Sequence, residues 1–137
     1  MHLPDTLCAE HADITALRRD IHAHPELAFE EHRTAALVAE RLEALGIETH
    51  RGIGQTGVVG VLRAGSSSRA IGLRADMDAL PIQEKNDFTH HSRHPGRMHA
   101  CGHDGHTAML LGAAGALSRH PAFDGTVYFL FQPAEEG

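Results

Sequence analysis

Apolar residues recur along this chain with a period that switches between helical and extended spacing. Ile14, Leu17 and Ile21 stand three and four positions apart, and Leu37, Val38, Leu42 and Leu45 line one face of a second segment that stops at Gly46. Both spacings predict helices. Between them His22-Ala-His24-Pro25-Glu26 breaks the pattern, because proline disfavours helical backbone in the residue before it. Two short apolar runs follow, GVVGVL (Gly57 to Leu62) and AIGLRA (Ala70 to Ala75), joined by a small polar loop from Gly65 to Arg69. They read as two strands paired in a hairpin. Thr89 to Arg97 is polar and aperiodic, hence a surface loop. From about Asp104 to Arg119, Ala108, Leu111, Ala114 and Leu117 form one stripe of a third helix. The run TVYFLFQ, Thr126 to Gln132, is continuously apolar and predicts a strand buried on both faces.

The succession of strand, helix and strand from Ala70 to Gln132 is a crossover unit, which joins parallel strands. In a parallel layer the carboxyl ends of strands and the amino ends of the following helices share one edge, where open α/β sheets bind ligands. Three polar pairs are expected on that edge: Asp76 and Asp78 past one strand, Cys101 and His103 before the helix, and Glu135 and Glu136 past the last strand. The crossover therefore brings distant sequence positions into one cleft.

Composition narrows the choice of chemistry. A chain of 137 residues with 42% hydrophobic content is long enough for one core of ordinary size. The formal net charge is -6, no basic stripe is present, and aromatic content is 4%, which speaks against a nucleic-acid partner. Two cysteines, Cys8 and Cys101, are too few for a disulfide framework and suit a reducing compartment. Cys8 reads as a small apolar residue of the first helix. The start MHLPDTLCAEH lacks a basic segment followed by an apolar core, and no later run has the length of a membrane span; a soluble cytoplasmic protein is expected.

The densest chemistry is MHACGHDGH, Met98 to His106, with one thiol, three imidazoles and one carboxylate among glycines. Cys101 and His103 are two residues apart, so both side chains can converge on one ion in an irregular loop, and Gly102 and Gly105 allow the turns that convergence needs. Thiolate beside neutral imidazole suits zinc and other first-row divalent ions better than magnesium or calcium. A solvated, histidine-rich loop is the alternative in a chain holding 13 His. His99 and His106 fit the surroundings of such an ion better than its direct coordination, and Asp104 either caps the third helix or orients an imidazole. His22, His24 and Glu26 read as a tie between the first two helices.

Four segments, HAHPELAFEE (His22 to Glu31), GLRADMDALPI (Gly72 to Ile82), MHACGHDGH and FQPAEEG (Phe131 to Gly137), resemble in order and spacing the amidohydrolase branch of the M20 metallopeptidase superfamily. The resemblance covers nearly the whole chain. It implies an α/β fold, a three-layer αβα domain with a largely parallel sheet, of which residues 1–137 are the N-terminal part of the metal-binding catalytic domain. An inserted domain that contributes to substrate binding and dimerisation, and the C-terminal part of the catalytic domain, are expected to lie outside these residues.

By the same resemblance Cys101 corresponds to a ligand bridging two divalent ions, His103 to a terminal ligand, Glu136 to a carboxylate ligand and Glu135 to the general base. Elsewhere in the superfamily the segment at residues 76–78 reads His-x-Asp. Here Asp76 replaces the histidine, so no ligand role carries over to it, whereas Asp78 keeps the position of a carboxylate that supports ligands or tunes bound water. The implied cofactor is a pair of divalent ions, zinc, manganese, nickel or cobalt, and the implied substrate a small N-acyl amino acid of the hippurate type. A homodimer without nucleic-acid or membrane partners is implied for the complete protein. Dipeptidase or deacetylase activity, or a non-catalytic metal-binding fragment, are the alternatives. With only Cys101, His103 and Glu136 in place, residues 1–137 alone are expected to bind metal weakly and to turn over negligibly.

Overall fold

A computed structural model describes residues 5–137, with the backbone alone for residues 5–9. The first four residues, part of the segment examined above for a leader, lie outside the described residues, as does the side chain of Cys8. Seven elements follow one another: helix α1 (Asp5–Ala23), helix α2 (His32–Ala44), strands β1 (Glu48–Ile53), β2 (Gly57–Ala64) and β3 (Ala70–Asp76), helix α3 (His103–Arg119) and strand β4 (Gly125–Gln132). The helical spacings of the sequence correspond to α1, α2 and α3. Among the described residues no helix is long and apolar enough to cross a membrane.

The sheet departs from the expected one. Its strand order is β1-β2-β4-β3; β1 pairs antiparallel with β2, β2 antiparallel with β4, and only β3 and β4 run parallel. The sheet is thus mixed and mostly antiparallel, and the expectation of a largely parallel αβα domain is corrected. The β2–β3 hairpin is also absent: β4 inserts between the two strands, pairing Val58 with Phe131 on one side and Ala75 with Phe131 on the other. Local sequence gave no sign of this, because the partner that separates the strands lies some sixty residues downstream of β2. Strand β1 was missed since ETHRGI is polar and mostly exposed, a solvent-facing edge strand held by pairing rather than burial.

β4 is central, yet only one of its faces is buried. Val127, Phe129 and Phe131 point into the core while Tyr128 and Leu130 alternate outward, each 36% exposed. The expected burial on both faces does not hold, because the helices cover only the face that carries the phenylalanines, α2 and α3 packing on the sheet and α1 on α3. That core joins Leu17 and Ile21 of α1, Val38 and Leu42 of α2, and Ala108, Leu111 and Ala114 of α3 to Val58, Ala75, Val127, Phe129 and Phe131 of the sheet. Full burial of a phenylalanine or leucine side chain stabilises by about 1.5–3 kcal/mol, so the layer is held mainly by this one interface. Gly60 marks a close approach in it: a Cβ there would stand 3.1 Å from Leu42 and 3.2 Å from Ile47, so those side chains would have to give way by a few tenths of an ångström to admit one.

The crossover β3–α3–β4 does form, with Asp76 in register with Gln132. Both strands end at one edge, where α3 begins, and β2 begins there because it runs the opposite way.

Candidate metal centre

Gly102 carries the turn that opens the centre. It precedes α3 with φ of 102°, a left-handed conformation that glycine adopts without steric cost, and so allows Cys101 and His103 to lie on the same side of the chain reversal. His103, the first residue of α3, is 2% exposed, whereas Cys101 is exposed at the rim. The His103 ring is fixed from behind. Its Nδ1 stands 2.9 Å from the backbone carbonyl oxygen of Asp78, an atom that can only accept, so Nδ1 carries the proton and Nε2 presents its lone pair forward.

Three carboxylates surround that lone pair. His103 Nε2 lies 3.5 Å from Asp76 Oδ1, 3.7 Å from Glu135 Oε2 and 3.8 Å from Glu136 Oε1, and it makes no hydrogen bond to any described residue. Donors bound to one ion at about 2.0–2.3 Å in tetrahedral geometry stand about 3.3–3.8 Å apart, so the separations suit a shared cation better than direct hydrogen bonds. Two donor groups result, each with ligand atoms within 4.8 Å of one another: Cys101 with His103 and Glu136, and Asp76 with His103 and His106. They share His103, and one imidazole nitrogen has one lone pair, so His103 serves one ion at a time. The sulfur, nitrogen and oxygen donors of the first group fit zinc and its first-row neighbours. Together the groups are consistent with a dinuclear divalent-metal site.

Charge crowding leaves its mark on the ionisable groups. The Cys101 thiol is pushed above its ordinary range, first by its hydrogen bond with Glu136, then by desolvation and by the negative charges of Glu136, Glu135 and Asp76. Asp76 is pulled both ways: desolvation raises it, but the hydrogen bond from His106 Nδ1 at 2.6 Å and the neighbouring imidazoles outweigh this, and its carboxyl stays below the usual range. A bound cation would relieve the repulsion among thiolate and carboxylates, which is the electrostatic reason for such a cluster.

Asp78 lies underneath, 1% exposed. Its Oδ2 accepts the backbone N–H of Glu136 at 2.9 Å, and its Oδ1 stands 3.3 Å from His103 Nδ1. That nitrogen has spent its proton on the carbonyl, so Oδ1 has no hydrogen-bond partner. Asp78 thus touches two of the three donors in the first group and does not open onto the cleft.

The structure brings Cys101, His103, Glu135, Glu136 and Asp78 together, and with them Asp76 and His106, to which the sequence reading gave no ligand role. The signal was there in Asp76: a carboxylate past a strand end, on the same edge as the thiol. Asp104 proves to orient His22 instead of a donor of the centre. Its Oδ2 accepts from His22 Nδ1 at 2.8 Å and from Arg18 at 3.1 Å, while His22 Nε2 meets Glu84 at 3.1 Å. Glu26 holds the first amides of α2, accepting from the N–H groups of Arg33 and Thr34 at 2.8 Å each. Glu31, to which the sequence reading assigned no role, is fully buried and accepts the N–H of Ala134 at 2.8 Å.

A thiol and an imidazole from the start of α3 and a carboxylate from the loop after β4, gathered at one sheet edge, are the makings of a divalent-metal centre. Comparison with known proteins agrees. Residues 72–137 match the model of peptidase family M20/M25/M40. The chain is 54% identical over 121 residues to hippurate hydrolase of Campylobacter jejuni, covering 88% of this chain and 31% of that protein. It is 52% identical over 126 residues to N-acyl-L-amino acid amidohydrolase of Geobacillus stearothermophilus, covering 90% and 34%. The YXEP protein of Bacillus subtilis, described as a dinuclear metal-binding peptidase from the M20 family, superposes with a TM-score of 0.89 at 44% identity over 94% of this chain and 37% of that one. The chain belongs to the M20 superfamily of peptidases and amidohydrolases. It spans about a third of the length of these relatives.

Proposed function

We propose that the complete protein is a metal-dependent amidohydrolase cleaving the amide bond between an acyl group and an amino acid, with hippurate-like compounds in its substrate class. One observation carries this reading: the free carboxylate of Glu135 and the open Nε2 of His103 face the same point, 3.7 Å apart. The names of the two relatives above, both of which act on acylated amino acids, support the substrate class.

Cys101, His103 and Glu136 are the residues that would hold the ion. Zinc, manganese, nickel or cobalt suits the donors. When bound, such an ion polarises the scissile carbonyl and lowers the pKa of bound water. Glu135 accepts the proton of the attacking water and returns it to the departing amine nitrogen, so the carboxylate is regenerated in each turnover. Asp78 holds the His103 ring from behind and the Glu136 backbone from below, keeping imidazole and carboxylate at a fixed separation. Beside Glu136 a shallow recess lined by Leu27, Ala28, Ala79, Leu80 and Pro81, together with Glu30, offers a partly apolar surface for an acyl group. Cys101 is free, and a reducing cytoplasm is the compartment in which an exposed thiol of this kind persists.

The test uses the complete protein, stripped of metal by a chelator and reloaded with zinc or manganese. Benzoyl-glycine is expected to be hydrolysed only after reloading, and faster than dipeptides or acetylated diamines. Equal hydrolysis without metal, or a clear preference for dipeptides, contradicts the reading.

A further inference from the structure

Glu135 sits on a short loop with an unusual backbone. Ala134, directly before it, has φ of 51°, a left-handed conformation that residues with a Cβ seldom adopt. Such a conformation persists only where its surroundings impose it. Here the amide of Ala134 is held by Glu31, at the N-cap of α2 and fully buried. One carboxylate oxygen accepts the Ala134 N–H at 2.8 Å; the other accepts the hydroxyl of Thr56, itself buried just before β2, at 2.5 Å. On the far side of Glu135, the Glu136 N–H is held by Asp78 at 2.9 Å. The two amides flanking Glu135 are therefore each pinned by a buried carboxylate, one reaching up from α2 and one from the loop after β3.

We infer that Glu31 is a positioning residue for Glu135: through the Ala134 amide it fixes the backbone from which the proton-transferring carboxylate projects. This rests on the reading of Glu135 as general base. Glu31 touches none of the metal donors directly, so its removal should misplace Glu135 while Cys101, His103 and the Asp78 anchor of Glu136 stay in place. Displacements of about 1 Å in a reacting group cost on the order of a hundredfold in rate.

Glu31→Met removes the acceptor at similar length, and Glu31→Gln restores it, because the amide oxygen can accept from Ala134 while the amide NH2 donates to the Thr56 hydroxyl. In the complete, metal-loaded protein, Glu31→Met is expected to lower kcat by about ten- to a hundredfold, with KM and bound metal near those of the unchanged protein. Glu31→Gln should recover most of the loss. A Glu31→Met protein with unchanged kcat overturns the inference, as does one that loses metal and activity in parallel without rescue by Glu31→Gln. Should Glu31→Met not fold, Glu31→Asp, which keeps the charge but shortens the reach, carries the same expectation and the same refutation. Glu135→Gln run alongside separates the two readings: if it stays active, the general-base reading fails; if it is inactive while Glu31→Met is fully active, only the positioning role fails.

Discussion

Asp78 and Glu136 are joined by a hydrogen bond of 2.9 Å from the backbone amide of Glu136 to Asp78 Oδ2, which ties the loop after β3 to the loop after β4. The same aspartate presents its carbonyl oxygen to His103 Nδ1. One buried residue thus sets the spacing between an imidazole donor at the start of α3 and a carboxylate donor after β4.

Asp78→Ala removes the anchor of the Glu136 amide while leaving the backbone carbonyl behind His103. Supporting residues of this kind contribute about ten- to a hundredfold in metal affinity, and a loss of that size is expected by calorimetric titration of the stripped, complete protein with zinc. Asp78→Asn keeps an acceptor for the amide and should lose less. Wild-type affinity in Asp78→Ala would show that Asp78 does not organise the donors.

The Cys101 thiol gives a second reading of the site without any assay of activity. Glu136, and behind it Glu135 and Asp76, hold its pKa above the ordinary value, so in metal-free protein it should alkylate with iodoacetamide more slowly at pH 8 than an ordinary exposed cysteine. Glu136→Gln removes the largest cause and should speed the reaction. No change in rate would mean that the thiol and Glu136 are not in contact in solution.

His22 donates structure to the centre from α1. Its two ring nitrogens meet Asp104 and Glu84, both buried, and so lash α1 to the start of α3 and to the loop between β3 and α3. His22→Leu would leave both carboxylates with fewer partners in a dry environment, a loss of about 2–4 kcal/mol measurable by chemical denaturation. A loss below about 0.5 kcal/mol, the range of an ordinary surface substitution, would contradict this account.

His99 predicts a pH dependence of stability. It is buried with neither ring nitrogen hydrogen-bonded, and desolvation pushes its pKa from 6.5 down to about 4 despite the nearby Asp104. Between those two values the unfolded chain binds a proton that the folded chain refuses. Stability therefore falls as pH drops from 6.5 towards 4 and is unaffected by this group above that window; the full span corresponds to about 3 kcal/mol. His99→Leu should flatten the dependence of unfolding free energy on pH between 6.5 and 5 in metal-free protein. Identical slopes in the two proteins would remove His99 as the cause.

Much of this was legible in the sequence, and what was not has physical causes. Helical periodicity locates the three helices, and the crossover rule puts Asp76, Asp78, Cys101, His103, Glu135 and Glu136 at one edge. Strand pairing was misjudged because local pattern does not encode which strand inserts between two others; β4 separates β2 from β3 through contacts distant in sequence. The one-sided burial of β4 was hidden by Tyr128 and Leu130, apolar residues on an outward face. His106 and Asp76 were undervalued as a pair because the 2.6 Å contact between them depends on how α3 packs on β3. Glu31 could be quoted within a motif but not given a task, since its task is a hydrogen bond to an amide about a hundred residues away.

The most direct test of the central claim pairs metal content with turnover in Glu135→Gln of the complete protein. The account predicts that the variant binds zinc or manganese at the stoichiometry of the unchanged protein, while turnover of benzoyl-glycine falls by several orders of magnitude. A variant that keeps both its metal and its turnover would contradict the account, because proton transfer by Glu135 would then be unnecessary.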